Sequence, residues 1–106
     1  GIEFALSFFL MFVITAVATD SRAEGAMAGL AIGGTVAMAA LFGGPLTGAS
    51  MNPARSLGPA LVSGQLEGLW LYLIVPVLGT LAGAVAYRWT RNCPDNPDSP
   101  DAGGCC

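Results

Sequence analysis

The sequence predicts an all-α membrane protein, and three observations lead to that fold class. Of its 106 residues 54% are apolar and only 10% are charged, and the chain contains no histidine. The apolar residues form continuous runs as long as a membrane-spanning helix. The charges lie mostly at the ends of these runs, so the chain lacks the charged surface that keeps a soluble domain dispersed. The length fits one small unit without a second domain.

Three apolar runs are long enough to cross a hydrocarbon core of about 30 Å, which takes roughly 20 helical residues. They cover residues 2–19, 25–42 and 68–89. A fourth run, residues 53–62, would make a helix of only about 15 Å, which predicts a re-entrant half-helix. The loop before it, residues 43–52, then predicts a cavity, because non-helical backbone at membrane depth must be buried in protein or face water.

Small residues recur every four positions in two of the runs. Such stripes allow helix backbones to approach closely in a membrane, although small residues are also simply common there. The four-residue period favours close helix contacts. The second run carries Gly25, Gly29, Gly33 and Ala37, and the last run carries Gly79 and Gly83.

The arginines predict the orientation of the chain. Arg22 follows the first run, and Arg88 and Arg91 end the last one, so three crossings place all three on one side. The positive-inside rule makes that side, and with it the C-terminus, cytoplasmic. The chain start then lies outside, without a signal peptide, so we expect the N-terminal part of a longer protein to precede it.

A membrane unit of residues 1–91 is followed by residues 92–106, whose Pro, Asp, Gly and Ser content predicts a disordered cytoplasmic tail. Cys93, Cys105 and Cys106 are expected to be reduced thiols there, with palmitoylation of Cys93 as an alternative. Their spacing matches no zinc pattern, so we expect neither a metal nor a cofactor.

The tetrad Asn52, Pro53, Ala54 and Arg55 lies between two apolar runs. Pro53 suits the first position of a helix, and Asn52 suits the cap before it. The positive end of the half-helix dipole would then point toward the middle of the membrane. Asn52 either only caps this helix or also directs its amide N–H groups into a lumen.

Arg55 would lie one helical turn further along, nearer the outer mouth. A guanidinium there would repel cations and donate hydrogen bonds to a neutral solute. Alternatively, the Arg55 side chain only extends to the membrane surface and has no role in a pore. The half-helix and the Asn-Pro pair before Arg55 favour the pore. Without histidine no general acid/base pair can be assembled, so we expect no enzyme.

The segment Gly-Ala-Ser-Met-Asn-Pro-Ala-Arg-Ser-Leu-Gly-Pro, residues 48–59, strongly resembles the second Asn-Pro-Ala loop of the aquaporin, or major intrinsic protein, family. The resemblance extends to about Arg91 and includes Glu3, Pro76 and the segment Ala-Thr-Asp at residues 18–20. It implies the C-terminal half of an aquaporin-like bundle, with three transmembrane helices and one re-entrant half-helix. The chain looks nearest to the nodulin-like, aquaglyceroporin-like subgroup.

The resemblance implies a passive channel for water and small neutral solutes of the glycerol, urea or metalloid-acid type. Asn52 would donate hydrogen bonds to the solute, and Ala40, Ala49 and Arg55 would supply three of the four positions at the narrowest point. Strict water channels usually carry histidine where this chain has Ala40, which implies a wider constriction. Ser56, however, stands where dedicated glycerol facilitators carry aspartate.

The resemblance also assigns Glu3 to a support role, in which its carboxylate lies behind the loop and accepts backbone hydrogen bonds. A solvated Glu3 near the end of a span is the alternative. Four aromatic residues are predicted to anchor the ends of the last run at the membrane interface. They are Trp70, Tyr72, Tyr87 and Trp89.

One half cannot close a lumen, since its polar loop would face lipid. The expected partners are therefore the lipid bilayer and either the N-terminal half of the channel or a second copy of this chain. The family implies a homotetramer, and no nucleic-acid partner is expected. The alternative is a non-conducting membrane subunit, or an orphan fragment lacking its N-terminal half.

Overall fold

The apolar runs fold as helices. The computed structural model describes residues 1–19 and 25–91. All regular structure in these two ranges is helical, which confirms the all-α prediction. The predicted tail with its three cysteines, and Arg22, lie outside the described residues. The elements are α1 (Ile2–Ala18), α2 (Ala26–Thr47), α3 (Pro53–Ser63) and α4 (Leu69–Thr90).

The helices differ in length in a way that matters for a membrane. Within the described ranges two are long and apolar enough to cross one, over Met27–Thr47 and Leu69–Thr90. α1 has 17 residues, which is at the lower limit of about 17–25 for a span. α3 has 11 residues and is therefore about 16 Å long, roughly half the thickness of the hydrocarbon core.

α1 is the central helix, because it packs against both α2 and α4, while α3 packs against α4. Glycines of α4 make the contact with α1 close. A Cβ atom at Gly79 would lie 2.5 Å from the carbonyl oxygen of Phe4, and one at Gly83 would lie 2.5 Å from that of Phe8. The residue numbers of the contacting pairs increase in the same direction along both helices, so α1 and α4 run parallel.

The far ends of α1 and α4 are also joined. The ring of Phe12 on α1 meets that of Tyr87 on α4 edge to face, with centroids 5.4 Å apart. Arg91 follows α4, and its guanidinium donates to the Thr19 hydroxyl at 2.9 Å and lies 5.6 Å from the centre of the Tyr87 ring. These contacts place the two C-terminal helix ends on the same side of the molecule.

The small residues of α2 behave differently from those of α4. Cβ atoms at Gly29 and Gly33 would meet nothing within 4 Å. This face of α2 is therefore open within the described part of the chain, whereas Gly79 and Gly83 are used in helix packing. The stripe on α2 leaves room for a closely packed neighbour outside it.

α2 continues past its predicted end near Phe42 and ends at Thr47. The sequence after Phe42 is Gly-Gly-Pro, which locally favours the end of a helix. Pro45 nevertheless lies inside α2, although it cannot donate the hydrogen bond that the carbonyl of Leu41 would accept. The loop therefore spans residues 48–52, and its predicted first half belongs to the helix.

Contacts with α1 explain why the helix continues. Gly43 is buried where a methyl group would collide with Leu6, so the missing side chain lets α2 approach α1. The additional turn brings the Thr47 hydroxyl to 2.8 Å from the carboxylate of Glu3. Tertiary contacts of this kind routinely outweigh weak local propensity.

The α1–α4 contact can be tested with a matched pair of substitutions. Gly79→Ala forces a methyl group against the Phe4 carbonyl, a backbone atom that cannot rotate away, so we expect the free energy of unfolding to fall by about 1–3 kcal/mol. Gly29→Ala places a methyl group in open space beside α2 and should raise the free energy of unfolding by about 0.5–1 kcal/mol. Unfolding titrations in mixed micelles measure both. Equal effects would contradict the close packing described above.

Candidate functional site

The loop between α2 and α3, residues 48–52, has a strained backbone. Gly48 ends α2 in the left-handed region with φ 81°. Ala49 and Met51 also have positive φ, 44° and 50°, and this conformation costs a residue with a Cβ atom about 1–2 kcal/mol. Strained conformations persist only where surrounding contacts hold them in place. The contacts around these residues therefore determine the conformation of the site.

Glu3 supplies the polar part of those contacts. Its side chain is only 3% exposed, although it is charged. Its Oε1 atom accepts from the Thr47 hydroxyl at 2.8 Å and from the Ser50 amide at 2.9 Å, and its Oε2 atom accepts from the Met51 amide at 3.0 Å. Hydrogen bonds to a charged group are roughly twice as strong as neutral ones. One carboxylate thus satisfies two loop amides that no helix could satisfy.

Apolar contacts hold the other side of the loop. The side chains of Ala49 and Met51 are 3% and 6% exposed and form a buried cluster with Ala39 of α2. Partly buried side chains of α1 and α2 surround this cluster. They are Leu6, Leu10 and Val36.

The start of α3 is shaped by its first residues. Asn52 is extended, and its Oδ1 atom accepts from the Ala54 amide at 2.9 Å, so the side chain caps the helix. Pro53 takes the first helical position, where its missing N–H is no loss. Because the cap occupies Oδ1, the amide nitrogen of this exposed side chain is left to donate elsewhere. It has no partner among residues 1–19 and 25–91.

A pair of hydroxyl groups fastens the loop to α3. The Ser50 hydroxyl donates to the Asn52 carbonyl at 2.9 Å and lies 2.6 Å from the Ser56 hydroxyl. Since Ser50 gives its hydrogen to the carbonyl, Ser56 must be the donor within the pair. Ser50 is 9% exposed, so this chain of hydrogen bonds is largely shielded from solvent.

Arg55 lies in the first turn of α3, and its side chain is exposed. In the described ranges its guanidinium makes no salt bridge or hydrogen bond. It borders a cavity of about 350 Å³ between α3 and the start of α4. Ser50, Ser56 and Tyr72 also line this cavity, whose surface is partly polar and partly apolar.

The structure brings most of the predicted site residues into one unit. Asn52 and Arg55 share the start of α3, and Glu3 holds the loop that precedes it. Ala40 is exposed on α2. Ala49 is only 3% exposed as a whole residue and lies in the buried cluster described above, so it presents almost no surface within the described part of the chain.

Some members of the site were not predicted from the sequence. Thr47 was placed in a loop, and Tyr72 was taken only as an interface anchor, although its hydroxyl donates to the Thr47 carbonyl at 3.2 Å. The role of Ser50 was also missed. A sequence pattern that could have indicated these roles is the presence of three hydroxyl side chains close to the capping Asn52. They are Thr47, Ser50 and Ser56.

Apolar helices of spanning length, together with a strained loop held by a buried carboxylate, define an α-helical integral membrane protein. The sequence matches the model of the family described as "MIP: Major intrinsic protein" over residues 1–87, and the chain belongs to that family. This confirms the resemblance of the Asn-Pro-Ala loop. Membership also bears out the expectation that the chain is not an enzyme.

Individual relatives narrow the match to nodulin-like aquaporins of plants. The chain is 62% identical to aquaporin NIP1-2 of Oryza sativa subsp. japonica, over 86% of this chain and 30% of the relative. It is 61% identical to nodulin-26 of Glycine max, over 84% of this chain and 33% of the relative. With aquaporin NIP3-1 of Arabidopsis thaliana it shares 59% identity, over 85% and 28% of the two chains. The chain thus spans about a third of the length of the curated relatives it matches.

The support of the loop by Glu3 can be tested by Glu3→Gln. The glutamine amide presents N–H groups where a backbone amide needs an acceptor, and a buried unsatisfied donor costs about 1–3 kcal/mol. We expect the free energy of unfolding to fall by about that amount. The exposed Glu67 provides the matched control, and Glu67→Gln should be neutral. Near-normal stability of Glu3→Gln would contradict the support role.

Proposed function

We propose that this chain supplies half of the pore of a passive membrane channel for water and small neutral solutes. One observation carries the proposal: a half-length helix begins with an outward-facing carboxamide and an exposed guanidinium, Asn52 and Arg55, on a loop held from behind by Glu3. A loop held in this way can present the Asn52 amide and the Arg55 guanidinium as hydrogen-bond donors to a passing solute. The aquaporin names of the relatives support the same function.

The topology proposed for the chain has three spans, α1, α2 and α4, with α3 as a re-entrant half-helix. The parallel arrangement of α1 and α4 supports it, because both must then start on the same side of the membrane. That requires one full crossing between them, which α2 supplies if α3 turns back. Arg88 and Arg91 lie at the end of α4, so the positive-inside rule puts the C-terminus in the cytoplasm.

Four residues are proposed to line the pore. The free amide of Asn52 would donate to the solute near mid-membrane, and the Arg55 guanidinium would repel cations nearer the outer mouth. Ala40 would widen the constriction by its small side chain, and Ala49, which is 3% exposed in this chain, is proposed as the loop position of the constriction. Pro53 and Ala54 complete the start of the half-helix, whose positive dipole end adds a barrier to protons.

The substrate class proposed is water together with glycerol, urea or neutral metalloid acids. This proposal is supported by the small size of Ala40 and by the cavity beside Arg55, whose lining combines polar and apolar side chains. Ser56 adds no charge to this region, because a serine hydroxyl is neutral, and that hydroxyl is hydrogen-bonded to Ser50. A neutral solute is therefore the best match to the donors available.

The pore requires more than this chain. We propose that it is completed in the lipid bilayer by an N-terminal half or by a second copy related by a two-fold axis, within a homotetramer. The open face of α2 and the exposed position of Arg55 each leave surface for a partner. Relatives about three times as long as the matched segment support an N-terminal half.

Stopped-flow measurements on proteoliposomes test this function. The chain alone is reconstituted, and its water, glycerol and urea fluxes are compared with those of empty vesicles. Arg55→Ala should increase glycerol and proton flux severalfold relative to water flux, because the fixed charge and its bulk are lost. Arg88→Ala, which changes an exposed arginine at the end of α4, is the matched control and should leave the flux ratios unchanged.

Each result has a distinct meaning. Flux of glycerol and water from the chain alone means that copies assemble into a wide channel. Without flux above empty vesicles, the chain is co-reconstituted with the N-terminal part of one of the relatives. Flux that appears only then identifies a half-channel. Continued lack of flux identifies the alternative, a non-conducting membrane subunit or fragment.

A further inference from the structure

Thr47 connects three helices at the base of the loop. Its hydroxyl donates to Glu3 of α1 at 2.8 Å, and its carbonyl accepts from the Tyr72 hydroxyl of α4 at 3.2 Å. It is itself the last residue of α2. The same hydroxyl oxygen lies 3.4 Å from the amide of Ala49, the first loop residue with strained φ.

The contact with Glu3 matters because of how that carboxylate is used. Its two oxygens accept from the amides of Ser50 and Met51, so both loop hydrogen bonds depend on one orientation of the carboxylate plane. A glutamate side chain has three rotatable bonds and does not fix that plane by itself. The Thr47 hydroxyl is a third donor, and it comes from the rigid end of a helix.

The neighbouring side chains do not duplicate this role. The hydroxyl groups of Ser50 and Ser56 tie the loop to α3 and make no hydrogen bond to the Glu3 carboxylate. Within residues 1–19 and 25–91, Tyr72 hydrogen-bonds to the carbonyl of Thr47 and leaves the Thr47 hydroxyl available. Thr47 is therefore the one side chain in the described ranges that hydrogen-bonds to the Glu3 carboxylate.

We propose that Thr47 is a positioning residue for the loop of residues 48–52, and that it thereby sets where Asn52 and Arg55 stand relative to a passing solute. The selectivity part of this proposal rests on the channel function proposed above. The positioning part concerns the loop backbone and can be tested without solute flux. Thr47 is among the residues that line the cavity beside Arg55, but its hydroxyl donates to Glu3, and its proposed action is through that carboxylate.

Two substitutions at Thr47 separate the effect of its hydroxyl group from the effect of its branched shape. Thr47→Val keeps the branched side chain and removes the hydroxyl, while Thr47→Ser keeps the hydroxyl and removes the methyl group. Thr35→Val is the matched control, because Thr35 lies on the same helix and, among the described residues, its hydroxyl bonds only to the Ala31 carbonyl of that helix at 2.8 Å. Tyr72→Phe tests the carbonyl contact separately.

The first measurement is hydrogen exchange of individual amides by NMR, on the full chain in lipid nanodiscs. Thr47→Val should speed exchange at Ser50 and Met51 about tenfold, with Thr47→Ser and Thr35→Val close to the original chain. Unchanged exchange at both amides in Thr47→Val would overturn the positioning role. This readout does not depend on whether the chain conducts.

The second measurement is the ratio of glycerol to water flux, in the assembly that conducts in the experiment above. A residue that only stabilises the fold would lower both fluxes together, through the amount of folded protein. Thr47→Val should instead shift the ratio at least threefold, and Thr47→Ser should restore it. If Thr47→Val speeds amide exchange but leaves the ratio of glycerol to water flux unchanged, Thr47 positions the loop backbone without affecting selectivity. That result would overturn the selectivity part of the proposal. If no assembly conducts, the channel function fails and the exchange result alone decides the positioning role.

Discussion

The carboxylate of Glu3 is the interaction on which the rest of the site depends. A loop of five residues leaves the helical ladder, and two of its non-glycine residues adopt positive φ. In a low-dielectric interior an unsatisfied amide costs more than a typical hydrogen bond gains. Glu3 satisfies two such amides and receives a third hydrogen bond from Thr47. The buried charge is itself compensated, because three donors surround it.

What neighbouring residues could predict was local, and the support role of Glu3 for a distant loop came only from the family resemblance. The length of each apolar run, the Asn-Pro start of α3 and the absence of an acid/base pair can all be read from neighbouring residues. The end of α2 could not, because Gly43, Gly44 and Pro45 favour a break locally while Leu6 and Glu3 of α1 hold the helix together. The hydroxyl chain from Ser56 to Ser50 and the burial of the Ala49 side chain are likewise set by contacts between elements.

The surface of the molecule is consistent with a bilayer and with a partner that shares it. Large apolar side chains are strongly exposed on three different helices, among them Leu41 at 75%, Val62 at 92% and Trp89 at 84%. On a soluble monomer such surfaces mark interaction sites or aggregation. On helices of an integral membrane protein they meet lipid or neighbouring helices at no cost. The open glycine face of α2 adds a surface on which a helix could lie closely.

The contacts between helices form a closed circuit around the loop. Gly79 and Gly83 hold α4 against the backbone of α1, Tyr72 connects α4 to the end of α2, and Thr47 connects α2 back to α1 through Glu3. Each link is short and joins rigid helices, so the loop has little freedom to adjust when one link is lengthened. The position of Asn52 and Arg55 is therefore a property of the three-helix frame as a whole. The half-helix of 11 residues packs directly on α4 as well, so it is fixed to the same frame at two places, its loop and its own contact with α4.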